Sequence, residues 1–500
     1  MEGFLLLRPA LAVGVSALAA LIIILFGNRM HPNAREGVTF AAAGVKVILV
    51  YSMLPAVLAG QTISVRLMRI VDGVDLYFKA DSMGMIFACI ASFLWILTSL
   101  YSIGYMRGHE EKNQTGYFAA FAMCLCGTIG ICFAGNLVTF FIFFEVLTIA
   151  TYPLVAHYRD ENSKKSGRKY LAYTLTSGQL FLAGIVYVYF KCGTTDFVPG
   201  GFLSPAIAGG AATVLFFLMI GAGAVKAGVM PLHSWLPAAM VAPTPVSALL
   251  HAVAVVNAGA FAVIRVVCYT FGPELSASCG GSRVMTYLAA VTIVLSSLIA
   301  IRKTNLKARL AYSTVGQLSY MVLGVCILAP ASLTGAVFHM AAHAFLKITL
   351  FMCAGAIMVT THKADIRDMW GIGRRMPYTL AAFTLASLGI AGLPFLPAFT
   401  SKVNLITGAA EMGQPVFIAV LIASAMLSLT YLLPVGYLAF SKKTVNPDFA
   451  GYSMRIRDDA NPRMLIPLLC TIVISFVLGI WPNFGPHMMD LVHMTVSSVF

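Results

Sequence analysis

Runs of about twenty apolar residues, each long enough to cross a bilayer core as a helix, recur down almost the whole chain. A chain that is 59% hydrophobic and 10% charged, with a mean hydropathy of +0.87, has far more apolar surface than a soluble globule can bury. Strands of a membrane barrel would alternate over short segments, so uninterrupted runs exclude that solution. The fold class is therefore an all-α polytopic membrane protein. Fourteen spans are expected, at 4–26, 38–60, 83–103, 117–133, 135–157, 169–190, 207–237, 245–270, 284–301, 308–329, 332–359, 378–410, 416–440 and 464–482.

The basic residues orient this bundle. Of 33 lysines and arginines, 22 fall in connections or span ends on one side. Only Arg8, Arg66, Arg69, Lys79, Lys191 and Arg283 fall on the other, and Lys46, Lys226, Arg265, Lys347 and Lys402 lie inside spans. The positive-inside rule makes the richer side cytoplasmic, as in a prokaryotic inner membrane, and puts both termini outside. The same distribution turns the net charge of +14 away from nucleic acid and towards the lipid bilayer. The first span has no small-residue cleavage site after it and reads as a retained helix.

The stretch KAGVMPLHSWLPAAMVAPTPVSALLHA, 226–252, carries the densest chemistry. A lysine inside an apolar span costs roughly 2.5–3.5 kcal/mol even on lenient scales. Prolines 231 and 237 free carbonyls that water cannot satisfy at this depth. Charge and break together point to an ion or proton route, with His233 one turn beyond the proline and His251 at the start of the next span. A kinked packing helix with a snorkelling lysine is the plain alternative. Glu145 is the one acid near the middle of a span, and Lys226 is its candidate partner.

These devices repeat further on. His339, His343 and Lys347 recur at intervals of four, which puts all three on one stripe of a helix. Two histidines four apart could share a zinc, but no third ligand stands nearby in sequence, and a stepped polar stripe suits a proton relay. Span twelve is again overlong and broken, by Gly392, Pro394 and Pro397, with Lys402 beyond the break. Broken spans seven and twelve, five positions apart, are the trace of an internally repeated transporter, and an odd repeat length inverts the second copy. Lys226 and Lys402 are then expected at equivalent places.

Other features are quieter. The ten cysteines sit mostly inside apolar runs without a C-x-x-C pair, as small core residues do. Lys46 lies near a span end and is expected to snorkel. The segment RLMRIVDGVDLYFKADSMG reads as an outer loop or short strand pair, with Asp81 capping span three. No nucleotide-binding, zinc-protease or nucleophile-elbow motif occurs.

With these residues in view, the chain resembles the proton-pumping antenna subunits shared by respiratory complex I, energy-converting membrane hydrogenases and Mrp-type cation/proton antiporters. The resemblance covers about residues 75 to 440. It rests on the 226–252 stretch, AYSTVGQLSY, HMAAHAFLKITLF and the glutamate of FFEVLTIATYP. It implies fourteen helices with two inverted five-helix repeats. The chain then divides into a three-helix segment 1–116, a first repeat 117–270, a second repeat 284–440, and a C-terminal loop and last helix 441–500. Glu145 and Lys226 would be the pair of the first half-channel, His251 and the stripe of span eleven the bridge, and Lys402 the exit-side group. Asn257, Phe144 and Ala238 depart from the usual family pattern, in which many relatives have a lysine, a tryptophan is common and an aspartate is frequent at those places.

The leading reading is a proton-translocating subunit of a redox-driven, multi-subunit complex, whose partners are other membrane subunits and protons. The alternative is a subunit of an Mrp-type antiporter that also handles Na⁺, and the third is a scaffold. No cofactor is expected in this chain, so any redox chemistry would belong to partners.

Overall fold

The computed structural model describes residues 2–441 and 445–500, without the side chains of 2–4, 250, 251 and 457. Lys442 and Lys443, assigned above to the positive-rich side, lie outside the described residues, as does the side chain of Arg457. The principal helices are α1 (Glu2–Phe26), α2 (Pro32–Tyr51), α3 (Ser82–Gly108), α4 (Gln114–Cys132), α5 (Leu137–Val155), α6 (Glu161–Cys192), α7 (Ala212–Ala227), α8 (Thr244–Ala252) and α9 (Val255–Val266). They continue with α10 (Gly281–Arg302), α11 (Leu306–Cys326), α12 (Pro330–Thr361), α13 (Pro377–Ala391), α14 (Pro397–Glu411), α15 (Pro415–Ala439), α16 (Pro462–Ile480) and α17 (Phe484–Val499).

Among the described residues, twelve helices are long and apolar enough to cross a membrane. Two expected spans fall outside that set for different reasons. α11 is long enough, but Lys307, Arg309 and a run of hydroxyls lower its hydropathy. The span at 378–410 is split at Gly392–Leu396, which leaves two pieces of 15 residues. Span seven breaks as its prolines predict: Gly228 ends α7 in a left-handed turn, and the chain resumes at Trp235. The break in span eight was not foreseen. α8 stops at Ala252 and α9 starts at Val255 with no proline between them, and the Asn257 amide donates to Ala252 O at 2.9 Å, satisfying a freed carbonyl. The C-terminus also differs from expectation, because a second helix, α17, follows α16 and packs along α3 and α12.

The surface segment before α3 is a hairpin, β1 (Ile63–Val71) and β2 (Val74–Ala80), turned by Asp72 and Gly73. Asp81 caps α3, its Oδ1 accepting from Gly84 N at 2.8 Å. It also takes both arms of Arg265 from α9, at 2.6 and 2.8 Å. Arg265 is buried and its guanidinium lies over Tyr269, Phe197 and Phe261. Just beyond it the helix widens into a π turn, Val267–Phe271. The carbonyls of Cys268, Tyr269 and Thr270 accept from the 198–203 loop. Gly272 and Gly201 allow backbone to touch backbone there.

Lys46 does not snorkel. It is fully buried, with Nζ donating to Ser16 Oγ at 2.6 Å and Leu125 O at 3.3 Å, over the Trp95 ring. α1, α3 and α4 surround it before its stem can reach an interface.

One device occurs twice. The hairpin of α5 and α6 is closed by an antiparallel bridge between Asn136 and Asp196, with Leu137 N donating to Thr195 O at 2.9 Å and Phe197 N to Gly135 O at 3.0 Å. The hairpin of α11 and α12 is closed by Asn305 and Asp365, with Leu306 N donating to Ala364 O and Ile366 N to Thr304 O, both at 3.0 Å. Each asparagine also caps the helix it precedes. The first clasp neighbours the outward-assigned hairpin, and the second sits among Arg302, Lys303 and Lys307 on the positive-rich side.

The Asp81–Arg265 pair joins span three to span eight, and removing one partner strands the other charge in a buried site. Arg265→Leu is expected to lose about 3 kcal/mol of stability, read as a lower midpoint of thermal unfolding in detergent. The double variant Asp81→Asn, Arg265→Leu should recover part of that loss. Equal destabilisation of single and double variants would mean that the pair is not what holds these spans together.

Candidate functional site

Two clusters of buried polar groups lie at the broken helices. The first joins α5, α6 and α7. Lys226, in the last turn of α7, is fully buried. Its Nζ donates to Phe144 O at 2.8 Å and lies 3.3 Å from the centroid of the Phe144 ring. Phe144 O already serves its own helix and the Thr148 hydroxyl, so the lysine is held at a crowded acceptor. Glu145 is the next residue, and Lys226 is the charge acting on its carboxylate. Both carboxylate oxygens are buried without a hydrogen-bond partner among the described residues. The carboxylate rests against Gly178 of α6, where any side chain would collide with Oε1. α5 brings the acid and the lysine's acceptor together because they are adjacent residues, and Gly178 makes the room.

The second cluster joins α11, α12 and α14. His339, His343 and Lys347 are all fully buried on α12, as their spacing predicts, and the two imidazole centroids are 6.4 Å apart. His339 Nδ1 is 2.7 Å from Ser401 Oγ, which is also 2.9 Å from Ala398 O. With the serine proton on Ala398 O, Nδ1 is the donor and Nε2 the basic nitrogen; with it on Nδ1, the roles reverse. The Tyr320 ring stacks on His339 at 5.6 Å, and Lys402 Nζ lies 5.0 Å from the centroid of the same ring. Lys402 reaches back across its break to donate to Ile390 O at 2.7 Å and Ala391 O at 2.9 Å. Further along α12, Lys347 Nζ donates to Ser313 Oγ at 2.6 Å, and the Tyr431 hydroxyl donates to the same oxygen at 3.0 Å.

The two lysines are not placed alike. Lys226 precedes its break and points to a neighbouring helix, whereas Lys402 follows its break and caps the helix before it. His233 stands apart from both clusters: it is half-buried in the span-seven break, 6.0 Å from the ring of Tyr312. His251 lies in the last turn of α8, and its side chain lies outside the described residues. Among the described residues, no three His, Cys, Asp or Glu side chains converge as metal ligands would. Sequence reasoning missed Ser401, Tyr320, Tyr431 and Gly178. Ser401 sits beside Lys402 in sequence, whereas Tyr431 and Gly178 are ordinary residues of apolar helices until the fold places them.

Residues 134–428 match the family described as "NADH:quinone oxidoreductase/Mrp antiporter, TM". The chain is 30% identical to NADH-quinone oxidoreductase subunit N of Desulforudis audaxviator, over 82% of each chain. It is 26% identical to F(420)H(2) dehydrogenase subunit L of Methanosarcina mazei, over its own full length and 77% of that chain. Its fold matches a chain of the Mrp complex from Dietzia sp. with a TM-score of 0.85 at 22% identity, covering 99% of this chain and 97% of that one. A chain of the membrane-bound sulfane sulfur reductase, an archaeal respiratory membrane complex, matches with a TM-score of 0.84, also at 22% identity, over 98% and 99%. A family match across more than half the chain and a relative at 30% identity make this protein a multi-pass, antiporter-like membrane member of the NADH:quinone oxidoreductase/Mrp antiporter family.

Proposed function

We propose that the chain is the proton-translocating subunit of a multi-subunit, redox-driven complex in a prokaryotic inner membrane, with both termini outside. The observation that carries this reading is the set of buried ammonium groups that have no carboxylate salt bridge among the described residues, two of them, Lys226 and Lys402, beside broken helices. Lys226, Lys347 and Lys402 are satisfied by carbonyls, a hydroxyl and aromatic faces. A hydrogen bond to a charged group returns only about 1.5–3 kcal/mol, no more than the insertion cost of the charge. Groups balanced so closely can release and regain a proton, whereas a tight ion pair would hold it.

In this reading Glu145 and Lys226 form the first half-channel and Lys402 the outlet of the second. His251, His339, His343 and Lys347 bridge them, and His233 lines the first break. A proton accepted at His339 Nε2 converts the ring to imidazolium. In the imidazolium Nδ1 carries a proton directed at Ser401, next to Lys402, so the ring can pass charge along its own axis. Residues 117–270 and 284–440 are read as inverted five-helix repeats within fourteen crossings. The two matching clasps, assigned to opposite sides by the basic residues, support that symmetry. Other membrane subunits would supply the driving reaction. Na⁺/H⁺ exchange in an Mrp-type assembly is the second reading, supported by the unpaired buried carboxylate of Glu145.

Glu145→Gln is expected to slow translocation by the assembled complex about a hundredfold while assembly stays near normal. Gly178→Val should do the same by displacing the carboxylate. Parental pumping in the glutamine variant, measured in proteoliposomes, would remove Glu145 from the route.

Lys402→Ala should stop transfer, and so should Lys402→Arg, because arginine keeps its proton at any physiological pH. An arginine variant with the parental proton flux would make the residue a fixed charge and not a relay.

A further inference from the structure

Lys347 differs from the other two candidate lysines in what holds it. Lys226 and Lys402 donate to backbone carbonyls, which can only accept. Lys347 Nζ donates to a hydroxyl, Ser313 Oγ of α11, at 2.6 Å. The same oxygen accepts from the Tyr431 hydroxyl of α15 at 3.0 Å, and Ser428 Oγ lies 3.3 Å from that tyrosine oxygen. All four side chains are buried. Arg309 Nη1 donates to Tyr431 O at 2.8 Å, which ties the tyrosine's backbone to the helix that carries Ser313.

The difference matters when the lysine changes charge. An ammonium has three protons to donate and no lone pair, whereas a neutral amine has two protons and a lone pair that needs a donor. A carbonyl has no proton for that lone pair, and a serine hydroxyl does. Around the ammonium, Ser313 Oγ accepts twice, from Lys347 and from Tyr431. Once Lys347 has given a proton to the next group of the polar stripe, the serine O–H can turn and donate to the nitrogen. Tyr431 goes on donating to the serine oxygen in both arrangements, but with opposite effect. Two donors on one oxygen compete, which disfavours the ammonium. A donor behind an O–H that is itself donating strengthens that bond, which favours the amine.

The other titratable and charged groups here have their own places. His343 stands one turn along α12. On α11, Arg309 is bound to the carbonyls of Ile301, Lys303 and Tyr431, and Tyr312 and Tyr320 face His233 and His339. α14 brings Lys402, held at the Ile390 and Ala391 carbonyls, and α8 brings His251, whose side chain lies outside the described residues. α3, α13, α16 and α17 meet other parts of α12. Phe93 lies against Phe345, which shares a cavity wall with Met488; the Tyr101 hydroxyl donates to Met352 O; Gly389 lies against Leu346, and Thr471 against Thr349.

We propose that Ser313 and Tyr431 are positioning residues that let Lys347 exist both with and without its proton, Ser313 by serving both states and Tyr431 by weighting them towards the amine. The inference rests on the proton-translocating reading above. It makes Lys347, of the three candidate lysines, the one built to be uncharged for part of each cycle.

The test measures proton flux by the assembled complex in proteoliposomes, with the same starting pH on both faces. Removing the hydroxyl acceptor costs the ammonium more than the amine, because hydrogen bonds to charged groups are the stronger. Ser313→Ala should therefore lower flux about tenfold near pH 8 and leave it within about twofold of the parent near pH 6. Ser313→Thr, which keeps the hydroxyl, should restore the parental profile. Tyr431→Phe keeps the ring and removes only the hydroxyl, so it should do the reverse, lowering flux about threefold near pH 6 and leaving it parental near pH 8. Opposite shifts from two neighbouring residues are a result that lost packing does not give. Shifts of the same sign, losses equal at every pH, or parental profiles in both variants overturn the proposal. If Ser313→Ala does not assemble, Tyr431→Phe decides alone: a loss confined to low pH supports the proposal, and any other profile overturns it. Lys347→Ala separates the two levels. If it stops transfer while the serine and tyrosine variants keep the parental profile, only the positioning roles fall. If the intact parent complex moves no protons at all, the translocating reading and the positioning roles fall together.

Discussion

Backbone carbonyls released inside a bilayer have no water to turn to, and Lys402 and Asn257 answer that problem here. Lys402 bonds the two last carbonyls of α13. The Asn257 amide takes the carbonyl at the end of α8, and Lys307 takes that of Ala242 just before α8 begins. Arg309 spans Ile301 and Lys303 at the end of α10 and Tyr431 in α15. A charged or polar donor at this depth and a broken helix are each unfavourable alone. Placed together, each removes much of the other's cost, which is why breaks and lysines coincide along the chain.

Lys226 uses the same currency with a different partner. Its acceptor belongs to α5 and not to its own broken span, so the lysine links two helices where Lys402 closes one. The consequence is a division of labour within one architecture. The first cluster sets an acid beside an ammonium, and the second sets an ammonium beside imidazoles and hydroxyls. Both are enclosed by aromatic rings, Phe144 in one and Tyr320 in the other, whose faces stabilise a cation without offering it a proton acceptor. A relay needs such neighbours, because a strong acceptor would trap the proton.

Lys46 and Arg265 mark the contrast. Arg265 is locked into Asp81 by two short bonds and joins distant spans, a structural use of buried charge. Lys46 finds Ser16, Leu125 and Trp95 around it, with three different helices supplying the contacts. Neither stands at the break of a proline-interrupted span. Buried charge alone is thus a poor marker of a conduction route, and the adjoining break is what sets Lys226 and Lys402 apart.

Much of this was legible in one dimension. Apolar run length determines that the chain crosses a membrane repeatedly. Prolines 231, 394 and 397 mark two breaks because a missing N–H acts locally, and the four-residue spacing of His339, His343 and Lys347 puts them on one stripe. What lay beyond the sequence depends on contacts between residues far apart. The break in span eight has no proline and is stabilised by the Asn257 side chain, α17 is held by packing on α3 and α12, and Lys46 is covered by three helices. Glu145 and Lys226 could be named from sequence, but only tertiary structure set Gly178 against the carboxylate and gave Lys226 to Phe144 O. Helix periodicity and proline chemistry are properties of neighbours along the chain. Which carbonyl a lysine satisfies is decided by whichever helix packing brings within hydrogen-bonding reach.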